Sequence, residues 1–146
     1  MNIQIEEMTL KHFDLISKNL LSNFDNFWNP NILENELKSD NSIYFIAKND
    51  NDEIIGFVGI KVVLNDADLM NIVVKKDFRN TGIASLLLKY ILNYCNNNSI
   101  NSIILEVSEE NIHAIKLYEK FGFDIISSRD NYYKDKKAII MKKKIV

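Results

Sequence analysis

The spacing of apolar and polar positions divides the chain into short elements. Alternation over residues 3–8 (IQIEEM) predicts a first strand. Thr9 stands where it can cap a helix whose apolar stripe takes in Leu10, Phe13, Leu15, Ile16, Leu20 and Leu21. An aromatic-rich loop, NFDNFWNPN, separates it from a short second helix over 32–38. SIYFIAK (42–48) and EIIGFVGIKVVL (53–64) flank NDND and read as an antiparallel hairpin, and ADLMNIVV (67–74) is the next strand. A helix follows over about 82–96, with Ile83, Leu87, Tyr90, Ile91 and Tyr94 at helical spacing.

SIILEV (102–107) reads as a short buried strand. The helix over 111–121 puts Ala114, Leu117, Tyr118 and Phe121 on one face, and Gly122 takes the position past its C-terminus. FDIIS and KAIIMKKKIV complete the sheet as a hairpin around the polar 129–137 segment. A strand-helix-strand crossover within one sheet leaves its strands parallel, so 67–74 and 102–107 are expected as a parallel pair in an otherwise mostly antiparallel sheet. Such sheets take ligands at the C-terminal ends of their parallel strands.

Composition narrows the function classes. The 146 residues, 47% hydrophobic and 26% charged, with no linker, repeat or composition break, fit one globular domain over 1–146. A net charge of −2 argues against direct nucleic-acid binding, and the late lysines (Lys134, Lys136, Lys137, Lys142, Lys143, Lys144) read as a solvated face. The one cysteine, Cys95, sits among apolar neighbours and suits a reducing cytoplasm as packing rather than as a nucleophile. Two histidines, His12 and His113, give no metal-site spacing, and no run suggests a leader or a membrane span. The expectation is a cytoplasmic protein without metal or membrane partner.

The most informative stretch is VVKKDFRNTGIASLLLKYIL, where a β-branched run crosses a charged turn and enters the most apolar helix through Arg79, Asn80, Thr81, Gly82, Ile83 and Ala84. Helix N-termini expose unpaired N–H groups and a partial positive charge, and so attract phosphate. Gly82 removes the side chain that would hold a phosphate off those amides, Ala84 keeps the next turn small, and Arg79 adds charge. Alone, this pattern also describes a plain turn-and-cap glycine.

Its surroundings resemble the GNAT superfamily of acetyl-CoA-dependent N-acetyltransferases, whose signature is Arg or Gln, two residues, Gly, one residue, Gly or Ala. Within it, residues 103–141, with LEV, then N..AI.LYEKFGF, R.NYY and AIIM, resemble the bacterial ribosomal-protein-alanine N-acetyltransferases, the RimI type. The resemblance covers essentially the whole chain. It implies a GNAT fold of the α/β (α+β) class: a mixed, mostly antiparallel seven-stranded sheet with a central splayed parallel pair and about four flanking helices. It also implies that amides of the 79–84 loop hold the pyrophosphate of acetyl-CoA, the co-substrate. The pantetheine arm would lie against the backbone of Ile72, Val73 and Val74, and a backbone N–H near Val73 or Val74 would serve the oxyanion.

By the same resemblance Glu106 is the general base and Tyr118 the general acid, while Asn111 contacts the cofactor or simply caps its helix. Alternation sets Glu106 with Ile104 on one face of its strand, opposite Ile103, Leu105 and Val107. Trp28, Tyr132 and Tyr133 are candidates for lining the acceptor groove. The family usually carries a Pro-Trp pair where this chain has Phe27-Trp28 with its proline two residues later. The implied reaction is direct transfer of acetyl to a protein N-terminal α-amine, the alanine of a small-subunit ribosomal protein, in a ternary complex. A small-molecule amine, a protein lysine, or a catalytically silent acetyl-CoA-binding module remain as alternatives.

Overall fold

In the computed structural model, residues 2–24, 30–133 and 136–145 are described. Seven strands form one sheet: β1 (Gln4–Glu7), β2 (Ser42–Lys48), β3 (Ile54–Val63), β4 (Asp66–Val74), β5 (Ser102–Ser108), β6 (Asp124–Tyr133) and β7 (Lys136–Lys144), in the order β1-β2-β3-β4-β5-β7-β6. Among the described residues there are four α-helices: α1 (Leu10–Ile16), α2 (Pro30–Lys38), α3 (Ile83–Asn97) and α4 (Ile112–Lys120). β4 and β5 run parallel, with Asp66, Ala67 and Asp68 beside Ser102, Ile103 and Ile104. The recorded pairs β1·β2, β2·β3, β5·β7 and β6·β7 are antiparallel. The mixed, mostly antiparallel architecture expected from the crossover is the one observed.

The chain groups into two compact units, Met1–Lys61 with Met70–Ile91, and Val62–Leu69 with Leu92–Val146. In the first, one core cluster gathers Met8, Phe13, Ile16, Leu20, Phe24, Leu33, Tyr44, Ile46, Ile54, Phe57 and Val73. Besides Met8, these residues come from α1, the π turn after it, α2 and the inward face of β2, β3 and β4. On β3 a register irregularity between Ile54 and Gly56 lets Ile54 and Phe57, three apart, share that face. Burying side chains of this size stabilises by about 1.5–3 kcal/mol each before entropy is charged. Gly56 does the matching job for α3. A Cβ there would fall 2.9 Å from the Val73 carbonyl, 3.2 Å from Leu87 and 3.4 Å from Ile83, so its absence lets the helix settle on the strands. In the second unit, β5 buries Ile103, Leu105 and Val107 and turns Glu106 outward.

Three expectations change. The first helix does not run on to Leu21: it ends at Ile16, tightens into a 3-10 turn over Ser17–Asn19, and widens into a π turn over Leu20–Phe24. The change of pitch brings both Leu20 and Phe24 into the core and leaves Leu15 68% exposed. On α3 the buried stripe is Ile83, Leu87, Leu88, Ile91 and Cys95, whereas Tyr90 stays at the surface with its ring edge on Phe45, centroids 4.9 Å apart. The polar segment from Arg129 is not a loop: β6 continues through it to Tyr133, kept in register with β7 by two irregularities.

Candidate active site

In the first unit, β4 ends at Val74 and the chain passes through a 3-10 turn, Lys76–Phe78, to the head of α3. Thr81 Oγ1 donates to the Phe78 carbonyl, and Asn80 takes a φ of 62°, a conformation that asparagine tolerates better than most residues. Gly82 follows at φ 89°. A Cβ on Gly82 would meet nothing within 4 Å. The glycine therefore is not there to relieve crowding within the protein; it supplies the left-handed backbone and leaves the approach to the helix end open. Its carbonyl accepts from Leu86 N–H at 3.1 Å, which makes the amides of Ile83, Ala84 and Ser85 those of a first turn, without carbonyl partners one turn back.

Arg79 is engaged differently from the expectation that it adds charge for a phosphate. Its Nε donates to the Val74 carbonyl at 3.1 Å, and its Nη2 donates to the Phe24 carbonyl. The planar fork ties the end of β4 and the π turn to the loop, a task that lysine's single ammonium cannot perform. Lys75 is committed too, since its ammonium pairs with Glu53, whose carboxyl is held below the usual carboxylate range chiefly by that contact. What the head of α3 offers an anion is thus mainly backbone: oriented N–H groups and the helix dipole. Ile72 is half-buried, and Val73 and Val74 are buried.

In the second unit, Glu106 stands on the outward face of β5 and its carboxylate accepts from the Arg129 guanidinium on β6. Glu106 faces Ile140 and Arg129 faces Ala138 on the intervening strand β7, so the pair spans two strands. Arg129 was not among the residues singled out in the sequence, although R.NYY contains it. Only the β5-β7-β6 order brings it to Glu106. Neighbouring pairs, Lys136–Glu110 at 2.8 Å and Lys137–Asp130 at 4.0 Å, neutralise charge around it. This accounts for two of the late lysines as a paired surface rather than a binding patch.

Tyr118 sits on the half-buried face of α4, its ring 5.7 Å from that of Phe123. Burial pushes its phenol up to about 12. Asn111 caps α4, its Oδ1 accepting from Ala114 N–H at 3.1 Å. The capping function read from the sequence is therefore present. Tyr132 and Tyr133 lie in β6, and Trp28 falls outside the described residues. Cys95 is fully buried and burial pushes its thiol up to about 11, the opposite of what a nucleophile needs. Among the described residues no group of three or more His, Cys, Asp or Glu could hold a metal ion, and no helix is long and apolar enough to cross a membrane.

Residues 11–123 match the model of the acetyltransferase (GNAT) family. A relative in Bacillus subtilis, itself only provisionally assigned as a ribosomal protein bS18-alanine N-acetyltransferase, is 27% identical over 139 residues, 94% of this chain and 92% of that one. The ribosomal protein bS18-alanine N-acetyltransferase of Escherichia coli K12 is 35% identical over 83 residues, 57% of this chain and 56% of that one. The crystal structure of the ribosomal-protein-S18-alanine N-acetyltransferase from Escherichia coli superposes with a TM-score of 0.90 at 25% identity, covering 99% of this chain and 94% of that one.

Proposed function

Since the chain belongs to the acetyltransferase (GNAT) family, we propose that it transfers acetyl from acetyl-CoA to the N-terminal α-amine of a protein, with the alanine of a small-subunit ribosomal protein in the cytoplasm as its target. The family takes acetyl-CoA as co-substrate and makes the chain an N-acyltransferase. The observation that carries the reading is the head of α3, where Gly82 at φ 89° leaves first-turn amides uncovered beside a loop pinned by Arg79. The amides of the loop from Arg79 through Asn80, Thr81, Gly82, Ile83 and Ala84 hold the pyrophosphate. The backbone of Ile72, Val73 and Val74 receives the pantetheine arm, and one of its amides faces the oxyanion. Residues 1–146 act as one catalytic domain.

The amine must be neutral to attack the thioester carbon. At pH 7 roughly a tenth of an α-amine with a pKa near 8 is neutral, against less than about one in a thousand of a lysine near 10.4. Glu106, a single carboxylate, is modest equipment for removing a proton. An α-amine suits it, directly or through water. Glu106 passes the extra proton of the ammonium to solvent. Attack by the neutral amine forms the C–N bond and a tetrahedral oxyanion. Collapse breaks the C–S bond as nitrogen gives up one further proton, which ends on the sulfur and leaves the amide N–H. Tyr118 stays protonated, and its hydroxyl donates to the departing sulfur. A thiol near 8.5 is a far stronger acid than a phenol at about 12, so this tyrosine stabilises the thiolate by hydrogen bonding without surrendering its proton outright. Asn111, Trp28, Tyr132 and Tyr133 keep their proposed places around cofactor and acceptor.

The test is mass spectrometry of peptides incubated with the protein and acetyl-CoA. One set carries a free N-terminal alanine; the matched set has that terminus blocked and an internal lysine free. One added acetyl on the free-terminus set alone is expected. Acetyl on lysine alone would overturn the acceptor while keeping the chemistry. Bound acetyl-CoA without product on either set would point to a small amine or a silent binder.

A further inference from the structure

Among the described residues, two buried side-chain atoms have no hydrogen-bond partner: Tyr44 Oη and Asn71 Nδ2. A buried polar atom without a partner is costly, and phenylalanine or leucine at these places would have avoided it. Both residues belong to the first unit, and the strand register brings them to one face. Tyr44 pairs with Gly59 across β2 and β3, and a Cβ on Gly59 would fall 2.2 Å from the Tyr44 ring. The ring therefore occupies the space above Gly59, reaching across β3. On the far side of β3, Lys75 N–H donates to the Ile55 carbonyl at 2.8 Å. Counting two residues at a time, forward along β3 and back along β4, carries that alignment through Val73 beside Phe57, which share the core cluster, to Asn71 beside Gly59. Tyr44, Gly59 and Asn71 thus form a row across three strands, and the glycine's missing side chain is what lets the phenol extend towards the carboxamide.

The chemistry of the row selects its ligand. A tyrosine hydroxyl can donate and Nδ2 can only donate, so one oxygen acceptor satisfies both. Glu36 lies close enough to Tyr44 that its charge, after burial, raises the phenol far above its ordinary value, and a second anion there is disfavoured. Glu36 has partners of its own in the Ser42 hydroxyl, 2.9 Å away, and the Lys61 ammonium at 3.8 Å. The oxygen is therefore that of a neutral carbonyl. Tyr44 and Val73 are buried whereas Asn71 is half-buried, so the row is least covered at its β4 end. That end adjoins Ile72, where the stretch proposed for the pantetheine arm begins.

We propose that Tyr44 and Asn71, with Gly59 between them, form an acceptor subsite that holds the first peptide carbonyl of the chain being acetylated. The proposal rests on the α-amine reading above and deepens it, because a polyamine has no such oxygen while every peptide N-terminus carries one next to the amine.

The experiment compares an alanine-terminated peptide with an analogue whose first carbonyl is reduced to a methylene, using wild type, Tyr44→Phe and Asn71→Leu. Wild type is expected to prefer the peptide by about ten- to a hundredfold in kcat/KM, the ratio set by stranding a buried hydrogen-bonding group. Tyr44→Phe, which removes one oxygen and leaves the ring, should lose most of that preference by raising the peptide KM at nearly constant kcat, with acetyl-CoA affinity unchanged. Asn71→Leu should do the same. If Tyr44→Phe keeps the wild-type KM and preference and only raises Tm, the row is a frustrated or water-filled piece of core and the proposal falls. If wild type binds acetyl-CoA but acetylates neither peptide, the α-amine reading fails and takes the subsite with it.

Discussion

Gly82→Ala separates a phosphate-binding glycine from a merely conformational one, because Gly122 supplies its own control. The two glycines have nearly the same φ, 89° and 93°. An L residue in the left-handed region costs about 1–2 kcal/mol, so each alanine should lower Tm by a few degrees in a chain of this size. Neither adds a rigid clash. At Gly82 a Cβ meets nothing within 4 Å, and at Gly122 it meets the end of the Lys143 side chain at 2.7 Å, which can swing aside. The two substitutions should therefore match in stability and part in binding. If the pyrophosphate lies on the first-turn amides of α3, a methyl group there lifts it away. Losing one hydrogen bond to a charged group, about 1.5–3 kcal/mol, then weakens acetyl-CoA by about ten- to 150-fold. Gly122→Ala should bind as wild type does. Calorimetric titration of both variants with acetyl-CoA, beside their melting curves, decides the matter. Equal dissociation constants in the two would refute the pyrophosphate assignment and return Gly82 to an ordinary turn.

Three further outcomes follow from the same geometry. Glu106→Gln should cut kcat/KM by about a hundredfold or more with acetyl-CoA affinity intact; its lost pair with Arg129 is surface-exposed and contributes little to stability, so a rate within threefold of wild type would remove Glu106 as the base. Burial raises the Tyr118 phenol from its usual 10.0 to about 12, so the folded chain holds that proton longer than the unfolded one. The resulting stability is complete below about pH 10 and lost as pH climbs towards 12, and difference absorbance against Tyr118→Phe should find its phenolate only above about pH 11. Arg79→Lys gives up the bonds to the Val74 and Phe24 carbonyls, about 1 kcal/mol each, and should lower Tm by several degrees and weaken acetyl-CoA through the loop; unchanged stability would mean the fork does not brace it.

What could be read from the sequence, and what could not, divides by the distance over which each feature is decided. Strand β5 was legible because burial alternates residue by residue: Ile103, Leu105 and Val107 had to share a face, and Glu106 had to oppose them. The loop at the head of α3 was legible for the same reason, since helix start, glycine and open amides lie within six residues. The role of Arg79 was not, because its partner carbonyl at Phe24 is 55 residues away and its charge alone suggested a phosphate ligand. The Glu106–Arg129 pair needed the knowledge that β7 lies between β5 and β6. The end of α1 was misjudged because periodicity reports which residues are apolar, not where the backbone changes pitch to bury Leu20 and Phe24.

The row of Tyr44, Gly59 and Asn71 is the extreme case, as each residue looks ordinary within its own strand. An asparagine inside LMNIVV and a second glycine in GFVG were visible, yet only cross-strand register turns them into one surface. The proposed division of labour follows from this. The cofactor is held mostly by backbone, which a local motif can encode in six positions. The acceptor is recognised by side chains that separate strands bring together, which no local motif can encode. Relatives sharing the 79–84 pattern should accordingly keep acetyl-CoA affinity when their β2 and β4 residues are exchanged for those at 44 and 71, and change only which amine they accept.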